Sequence, residues 1–583
     1  MVAARACVGA GLALALASPR ALAQSAPSCA ESAALAQLRR AGDAPADAPP
    51  RPATVADAAR ALAVEPQSAG LDARLAAELQ LTSLPVRVSP RLLRELAELR
   101  AEGRARRVVS VWIRHGGRYE QRIMAALERE GMPVELLWVA AAESDFDPRA
   151  VSHAGAVGLW QLMPDAARTY GLRVDDWLDE RRDVDRSTEA AARYLRDLYQ
   201  RFGTWELALS AYNMGYNGLL RSIRKYGTTD PDALSSLEGA LPWETQQYAP
   251  RILAVALVAR NLPRFGIDPS PDPEVAWDDV EVTGSIALAD LVREARVRAA
   301  DLTALNPALL RARTPPGASA EAPFRLHVPP ASANAVRAAL PRLQAQALRP
   351  YTLRYGEALD EVAARWGLRP RALRAQSGLA DNAIARPGDT LLVPPRDPSP
   401  LPGGALPVVP VDPSTVAPPG HRRVFVRVAD SDPLEVPARA LGVPRDTLAR
   451  WNGLDPRARV QQGLWLQVFL RGDPPEGVRV YQESEVEALP RDSEAFADRS
   501  AASEGLARLR VTVAAGDTLA SVAARHGLTA ARLARINNRS PRAALVVGET
   551  LVVYVPLSRV TNPPDPTPTD STPPPPTRPD DGP

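Results

Sequence analysis

The second half of this 583-residue chain repeats itself, and the repeat limits what that half can fold into. Gly516 is followed by Gly527 eleven residues on and by Gly548 twenty-one beyond that. Gly356, Gly367 and Gly388 keep both intervals, and Ser431, Gly442 and Gly463 keep them with one substitution. Leu359, Leu434 and Leu519 sit three residues after the first anchors, and Leu373, Leu448 and Leu533 six after the second. Agreement at this many positions marks repeated supersecondary units. In the best copy, Gly516-Asp517-Thr518-Leu519 opens a helix whose free first-turn N–H groups an Asp or Thr oxygen can cap. The second anchor glycine ends that helix in a left-handed conformation. A second helix and an apolar run follow, so each unit of about 45 residues is predicted as strand, helix, helix, strand. The copies fall at 350–395, 423–470 (divergent) and 509–556. A worn fourth copy at 279–330 keeps Ser285, Arg296, Gly317, Leu288 and Leu302, and its Asn306 matches Asn452 and Asn537. Its closing run, Phe324 to Val328, comes late because of an insertion.

A chain of this length exceeds one core; at about 150 residues per domain it holds roughly four units. Proline clusters at 394–420 and in the tail 561–583, which read as disordered. Arg5, the apolar run Val8 to Ala17 and Ala21-Leu22-Ala23 before Gln24 read as a signal peptide over 1–23, which predicts a periplasmic protein. The run is too short to span a bilayer. Signal removal takes Cys7 and leaves Cys29 alone, so no intrachain disulfide is expected. Ala26-Pro27-Ser28 fits a lipoprotein signal poorly, and association with a membrane, the outer one, is expected only if Cys29 is lipidated. Residues 24–90, rich in Ala, Pro and Asp, read as a flexible leader with some helix near 70–80. The 70 basic and 68 acidic side chains nearly cancel and leave no concentrated basic patch, which argues against a nucleic-acid partner. Five scattered histidines make no metal constellation, and no cofactor is expected.

From 91 to 266 the pattern changes to long helices with short loops, and six of the ten tryptophans fall here. Aromatics at that density serve a core, and their flat faces also suit a sugar-binding cleft. Within this stretch, Val134 to Ala142 reads as an apolar helix that Asp147-Pro148 stops, which leaves Glu143 in its last turn. Burial and the negative helix end both disfavour the carboxylate. The raised pKa that follows is what a general acid near neutral pH requires. Asp145 and Asp147 fall elsewhere on the helix or in its terminating turn, where they cap and solubilise.

The blocks around Glu143 narrow the reading. Glu143-Ser144, then Ser152, then Gly155 to Pro164 with Leu159-Trp160-Gln161-Leu162-Met163, then Ala211-Tyr212-Asn213-Met214-Gly215, then Glu244-Thr245-Gln246-Gln247-Tyr248 occur in that order. They resemble the soluble lytic transglycosylase family, with its goose-lysozyme-like fold. The trailing copies resemble LysM modules, and the architecture resembles the membrane-bound lytic murein transglycosylase D group. The resemblance implies a multidomain α+β chain: a mainly α-helical, lysozyme-like catalytic domain over 91–266, then small βααβ modules and disordered linkers. It implies Glu143 as acid/base and Ser144 as cleft wall. Ser152, Gln161 and Met163 are implied at the scissile sugar, although Met163 and Trp160 serve packing equally well. Tyr212 and Asn213 are implied in the cleft floor, and Tyr248 near Glu143 or the substrate acetamido group. In the repeats it implies that Gly516, Asp517, Thr518 and Leu519 line a groove for N-acetylglucosamine-containing glycan. The substitutions Glu357 and Ala358 leave the second copy's polar contacts in doubt, and the copy at 279–330 reads better as a spacer.

The implied partner is peptidoglycan, and the implied reaction is cleavage of its MurNAc–GlcNAc β-1,4 bond to a 1,6-anhydromuramyl end. Ordinary glycosidases use two carboxylates, and these blocks supply only one for the role, which favours attack by the substrate's own groups. A hydrolytic muramidase, in which water replaces the C6 hydroxyl, is the nearest alternative. A non-catalytic peptidoglycan-binding scaffold is the alternative outside enzymes.

Overall fold

The computed structural model describes residues 54–557 apart from 62–64, 67–69, 86, 269 and 400–405. The expected signal peptide, Cys29 and the tail 561–583 lie outside the described residues. The chain divides into two compact units at Leu348 and Arg349.

The first unit begins with helices α1 (Val55–Ala61), α2 (Ala73–Glu78), α3 (Pro90–Arg100), α4 (Arg104–Gly116) and α5 (Glu120–Arg129). There follow α6 (Leu137–Ser144), α7 (Pro164–Thr169), α8 (Val184–Phe202), α9 (Trp205–Met214), α10 (Tyr216–Tyr226), α11 (Pro231–Ser236) and α12 (Trp243–Arg260). Two of these helices contain stretches that are apolar on every side, and such stretches belong in the middle of a core. The two helices are α6, whose Leu137 to Ala141 are all buried, and α12, buried continuously from Ile252 to Val258. Around them the amphipathic helices α3, α5 and α8 each turn one stripe inward, while α9 is buried from Leu207 to Ala211. Local chemistry sets the boundaries. Gly203 closes α8 in the left-handed region, and the next residue, Thr204, caps α9 through a bond from the Leu207 N–H. Trp138, Trp160, Trp177 and Trp205 are buried, so most of the aromatic density serves the core.

The expected flexible leader is corrected over its described part. Val55, Leu71, Leu79, Leu84 and Val88 join the same core as α3 and α12. The Asn261 amide accepts from the Gln80 N–H (3.2 Å) and donates to its carbonyl (3.0 Å), while Val55 N–H bonds Leu79 O at 3.0 Å. The apolar residues here are too widely spaced to show a period; partners distant in sequence bury them.

The same unit contains the worn repeat: β1 (Asp278–Val282), α13 (Leu288–Ala295), α14 (Ala299–Leu305) and β2 (Phe324–Val328), followed by α15 (Ala333–Ala345). The strands pair antiparallel with Asp279 opposite His327. This repeat is docked rather than loosely tethered. Asp179 N–H bonds Ala308 O (2.9 Å), Leu310 N–H bonds Trp177 O (3.0 Å), and Arg122 lies over the Trp277 ring at 3.6 Å. His327, buried, bridges Asp183 Oδ2 (3.0 Å) and Asp279 Oδ1 (2.7 Å). Burial alone would lower its pKa, but the two carboxylates outweigh that and raise it to about 9.

The second unit holds three further repeats. The first is β3 (Arg349–Thr352), α16 (Leu359–Arg365), α17 (Pro370–Gln376) and β4 (Thr390–Val393). Next come β5 (Val408–Val411), β6 (Arg422–Arg427), α18 (Glu435–Ala440), α19 (Arg445–Asn452), β7 (Trp465–Leu470) and β8 (Glu487–Pro490). The last group is α20 (Glu494–Ser503), β9 (Leu506–Thr512), α21 (Leu519–Arg525), α22 (Ala530–Ile536) and β10 (Thr550–Pro556). The strand pairs β3–β4, β6–β7 and β9–β10 are antiparallel. The repeated asparagine has a physical task. Asn306, Asn452 and Asn537 each donate to a carbonyl one turn back on their own helix, and each exchanges two bonds with the closing strand, at His327, Gln467 and Val552. In the 350–395 copy, Ser377 does part of this by accepting from Leu392 N–H at 2.9 Å. The linker at 394–420, expected to be disordered, instead contributes β5, which pairs in parallel with β8.

Candidate active site

Glu143 lies in the last turn of α6. The helix ends before Pro148 is reached: Asp145 (φ 56°) and Phe146 (φ 59°) both enter the left-handed region, correcting the expectation that Asp147-Pro148 stops it. A left-handed Phe is strained. Its fully buried ring packs edge-on against Trp138 and beside Gly116, which holds it there. Of the two neighbouring aspartates, Asp145 lies 3.0 Å from His115 Nδ1 without a hydrogen bond, and Asp147 accepts from the Arg149 N–H (2.8 Å).

The Tyr248 hydroxyl on α12 donates to Glu143 Oε1 at 2.5 Å. Burial raises the Glu143 pKa most; the Tyr248 bond opposes this, the Glu244 charge adds to it, and the result is about 7. Glu143 is therefore both acid and base within the neutral range. Tyr212 and Tyr248 are held well above the ordinary phenol range, first by burial and then by the Glu143 charge, so both remain hydroxyl donors.

The loop between α6 and α7, beside Glu143, is held by the core from several sides. The Ser144 hydroxyl donates to Leu159 O (2.8 Å) and Tyr212 to Trp160 O (2.6 Å). Trp160 donates from its indole to Thr188 (3.0 Å). Gly158, at φ +86°, lies so close to Arg181 that an added Cβ would stand 1.7 Å from its carbonyl oxygen. The Arg181 side chain, paired with Asp179 in the interior, donates to Gly155 O (2.9 Å) and Leu162 O (3.0 Å). This clamp fixes the loop that carries Gln161.

The expected site residues separate by what they touch. Glu143, Tyr212 and Tyr248 come together. Asn213 does not bond backbone beside the acid; its Oδ1 accepts from the Thr245 hydroxyl (2.7 Å), which joins α9 to α12. The Ser152 hydroxyl accepts from Ala156 N–H (3.0 Å). Gln161, at φ 46°, turns its amide NH2 to Gly158 O (2.9 Å) and Ala150 O (3.3 Å), so both residues shape the loop. Met163 is 43% exposed and free to line a cleft. Glu244 and Thr245 escaped the sequence reading of individual roles. The i, i+4 spacing of Glu244 and Tyr248, which puts them on one helix face, was the available signal for the first.

In the 509–556 repeat, Leu519 is buried in the core rather than lining a groove. Asp517 is turned inward onto Ala514 N–H (3.0 Å) and Arg525 (2.7 Å), and Thr518 caps α21. Gly516 sits at the loop tip with φ +86°.

The family described as Transglycosylase SLT domain matches residues 120–235, and LysM domain matches 351–394 and 511–553. The chain is 30% identical over 294 residues to the membrane-bound lytic murein transglycosylase D of Escherichia coli (strain K12), across 47% of this chain and 63% of that protein. It is 33% identical over 135 residues to the membrane-bound lytic murein transglycosylase F of Desulfosudis oleivorans, across 21% of this chain and 28% of that protein. The chain therefore spans less than two thirds of the length of these curated relatives. Among solved structures, the 70 kDa soluble lytic transglycosylase of Escherichia coli is 19% identical over 41% of this chain and 44% of that one, with a TM-score of 0.24. No described helix is long and apolar enough to cross a membrane.

Proposed function

We propose that this protein is a peptidoglycan lytic transglycosylase of the cell envelope that cleaves the MurNAc–GlcNAc β-1,4 bond and leaves a 1,6-anhydromuramyl end. The observation that carries the reading is Glu143, a half-buried acid poised at about 7 with Tyr248 donating to it, while Asp145 lies beside His115 and Asp147 accepts from the Arg149 N–H. Protonated Glu143 gives its proton to the departing glycosidic oxygen as the C1–O bond breaks. The muramic acetamido oxygen covers C1, in the manner of substrate-assisted glycosidases. Glu143, now a carboxylate, takes the C6 hydroxyl proton, and O6 bonds to C1. No water is consumed, and the intramolecular attack benefits from high effective molarity. The SLT match, the LysM matches and the similarity to murein transglycosylases support substrate and reaction alike. Ser144, Ser152, Gln161, Met163, Tyr212 and Asn213 then build and hold the cleft. Residues 1–23 serve export to the periplasm, with lipid attachment at Cys29 the route to any membrane association.

One observation favours the hydrolytic alternative: Glu244, exposed one turn before Tyr248, acts on Glu143 through its charge and is a carboxylate able to activate water. Mass spectrometry of muropeptides released from purified sacculi separates the two. Anhydro ends from the wild type, absent with Glu143→Gln, are expected. Reducing ends would assign a muramidase, and no release by the wild type would leave a binding scaffold.

A further inference from the structure

We propose that the repeats at 350–395 and 423–470 form one glycan site between them, the divergent repeat supplying a wall to its neighbour's groove; this rests on the reading that the protein works on wall glycan. A cleft of about 510 Å³ lies there, within the range of ligand sites. One side is the Gly356–Asp360 loop with the Asp381–Ala385 loop, and the other is Arg427 to Ala429 with Gln462 and Gly463.

The two walls are fixed to each other. Tyr355, from the first repeat, is buried in the core of the second. Its N–H bonds Gly477 O (2.8 Å) and its carbonyl accepts from Arg479 N–H (2.7 Å). Tyr481, bridged to β6 at Phe425, donates to the Glu361 carboxylate from the neighbouring repeat. Gly356, at φ +92°, has no room for a side chain, because an added Cβ would stand 2.7 Å from Arg479 O. The glycine that anchors the repeat also permits this close approach.

The lining selects the occupant. Ile384 is 56% exposed at the cleft and offers an apolar face to a pyranose ring. The Asn382 and Gln462 amides, one on each side, suit an acetamido group or ring hydroxyls. Arg374 and Arg427 are offset by Asp360 and Asp381, so the cleft suits an uncharged N-acetylated β-1,4 glycan over a polyanion. Glu357, whose substitution for Asp put this copy's contacts in doubt, does not intrude: Arg354, Arg365 and Tyr351 hold its carboxylate inside the repeat.

The test is calorimetric titration of the full chain, carrying Glu143→Gln to stop turnover, with the hexamer of N-acetylglucosamine. Ile384→Asp on one wall, and Gln462→Trp or Arg427→Ala on the other, are each expected to weaken one class of site about tenfold. Gln462 is exposed on a turn, and Arg427→Ala adds no bulk, so the pair guards against a folding artefact. Loss with Ile384→Asp alone would reduce the site to a single-repeat groove and overturn the proposal, as would no loss in any variant. Anhydro muropeptide release by the same variants with Glu143 intact separates the two readings. Release retained without a binding effect sinks only this inference, whereas a binding effect without wild-type release sinks only the catalytic reading.

Discussion

Replacing Tyr248 by phenylalanine removes one hydroxyl and leaves the buried ring on α12, so it isolates the bond to Glu143 Oε1. That bond favours the ionised carboxyl and opposes burial, and the balance stands at about 7. A hydrogen bond to a charged group is worth about 1.5–3 kcal/mol. At 1.36 kcal/mol per pH unit, its loss moves the Glu143 pKa upward by about 1 to 2. On the proposed mechanism Glu143 must be protonated for the glycosidic oxygen to leave, so the alkaline limb of kcat is expected to follow this pKa. At pH 8 a group of pKa about 7 is roughly 9% protonated, whereas one at 8 to 9 is roughly 50–90% protonated. The maximal rate should fall, because a transition-state contact is lost, while the alkaline limb shifts upward. The assay is anhydro-product formation from solubilised glycan strands between pH 4 and 10. A limb that stays near 7, or moves down, would refute the assignment of Tyr248 as the group opposing burial.

Three further substitutions test the frame around the site and the docked repeat. Gly158→Ala forces a side chain into Arg181 O and is expected to cost about 3 kcal/mol or more in denaturant unfolding. Gly155→Ala, equally left-handed at φ +86° but with open space at its Cβ, should cost only about 1 kcal/mol; equal losses would show that strain and not the clamp decides. His327 has a folded pKa of about 9 against 6.5 unfolded, so its pairing with Asp183 and Asp279 stabilises fully below about pH 6.5 and is lost as pH rises through about 9. The difference corresponds to about 3 kcal/mol, and His327→Gln should flatten stability across that window in thermal melts; an unchanged slope would reject the bridge as its source.

Local rules made much of this protein legible. The periodic leucines and anchor glycines specify βααβ units because their spacing belongs to single helices and turns, and the repeated asparagine was visible before its clamp was. Glu143 could be placed in a helix's last turn from the apolar run before it. Contacts between distant segments had no such signature. Burial of Val55, Leu79 and Leu84, the turn of Asp517 and Leu519 away from solvent, and the Thr245 bond to Asn213 each need a partner that no local pattern names. The sequence by itself determined the helices and turns of the repeats and the placing of Glu143 at a helix end, because those follow from periodicity and capping. The tertiary structure alone decided that Tyr248 meets Glu143 across 105 residues of chain and that the worn repeat locks to the helical domain through His327. It also decided that a divergent repeat completes its neighbour's cleft, because distance and burial between remote segments exist only once the chain has packed.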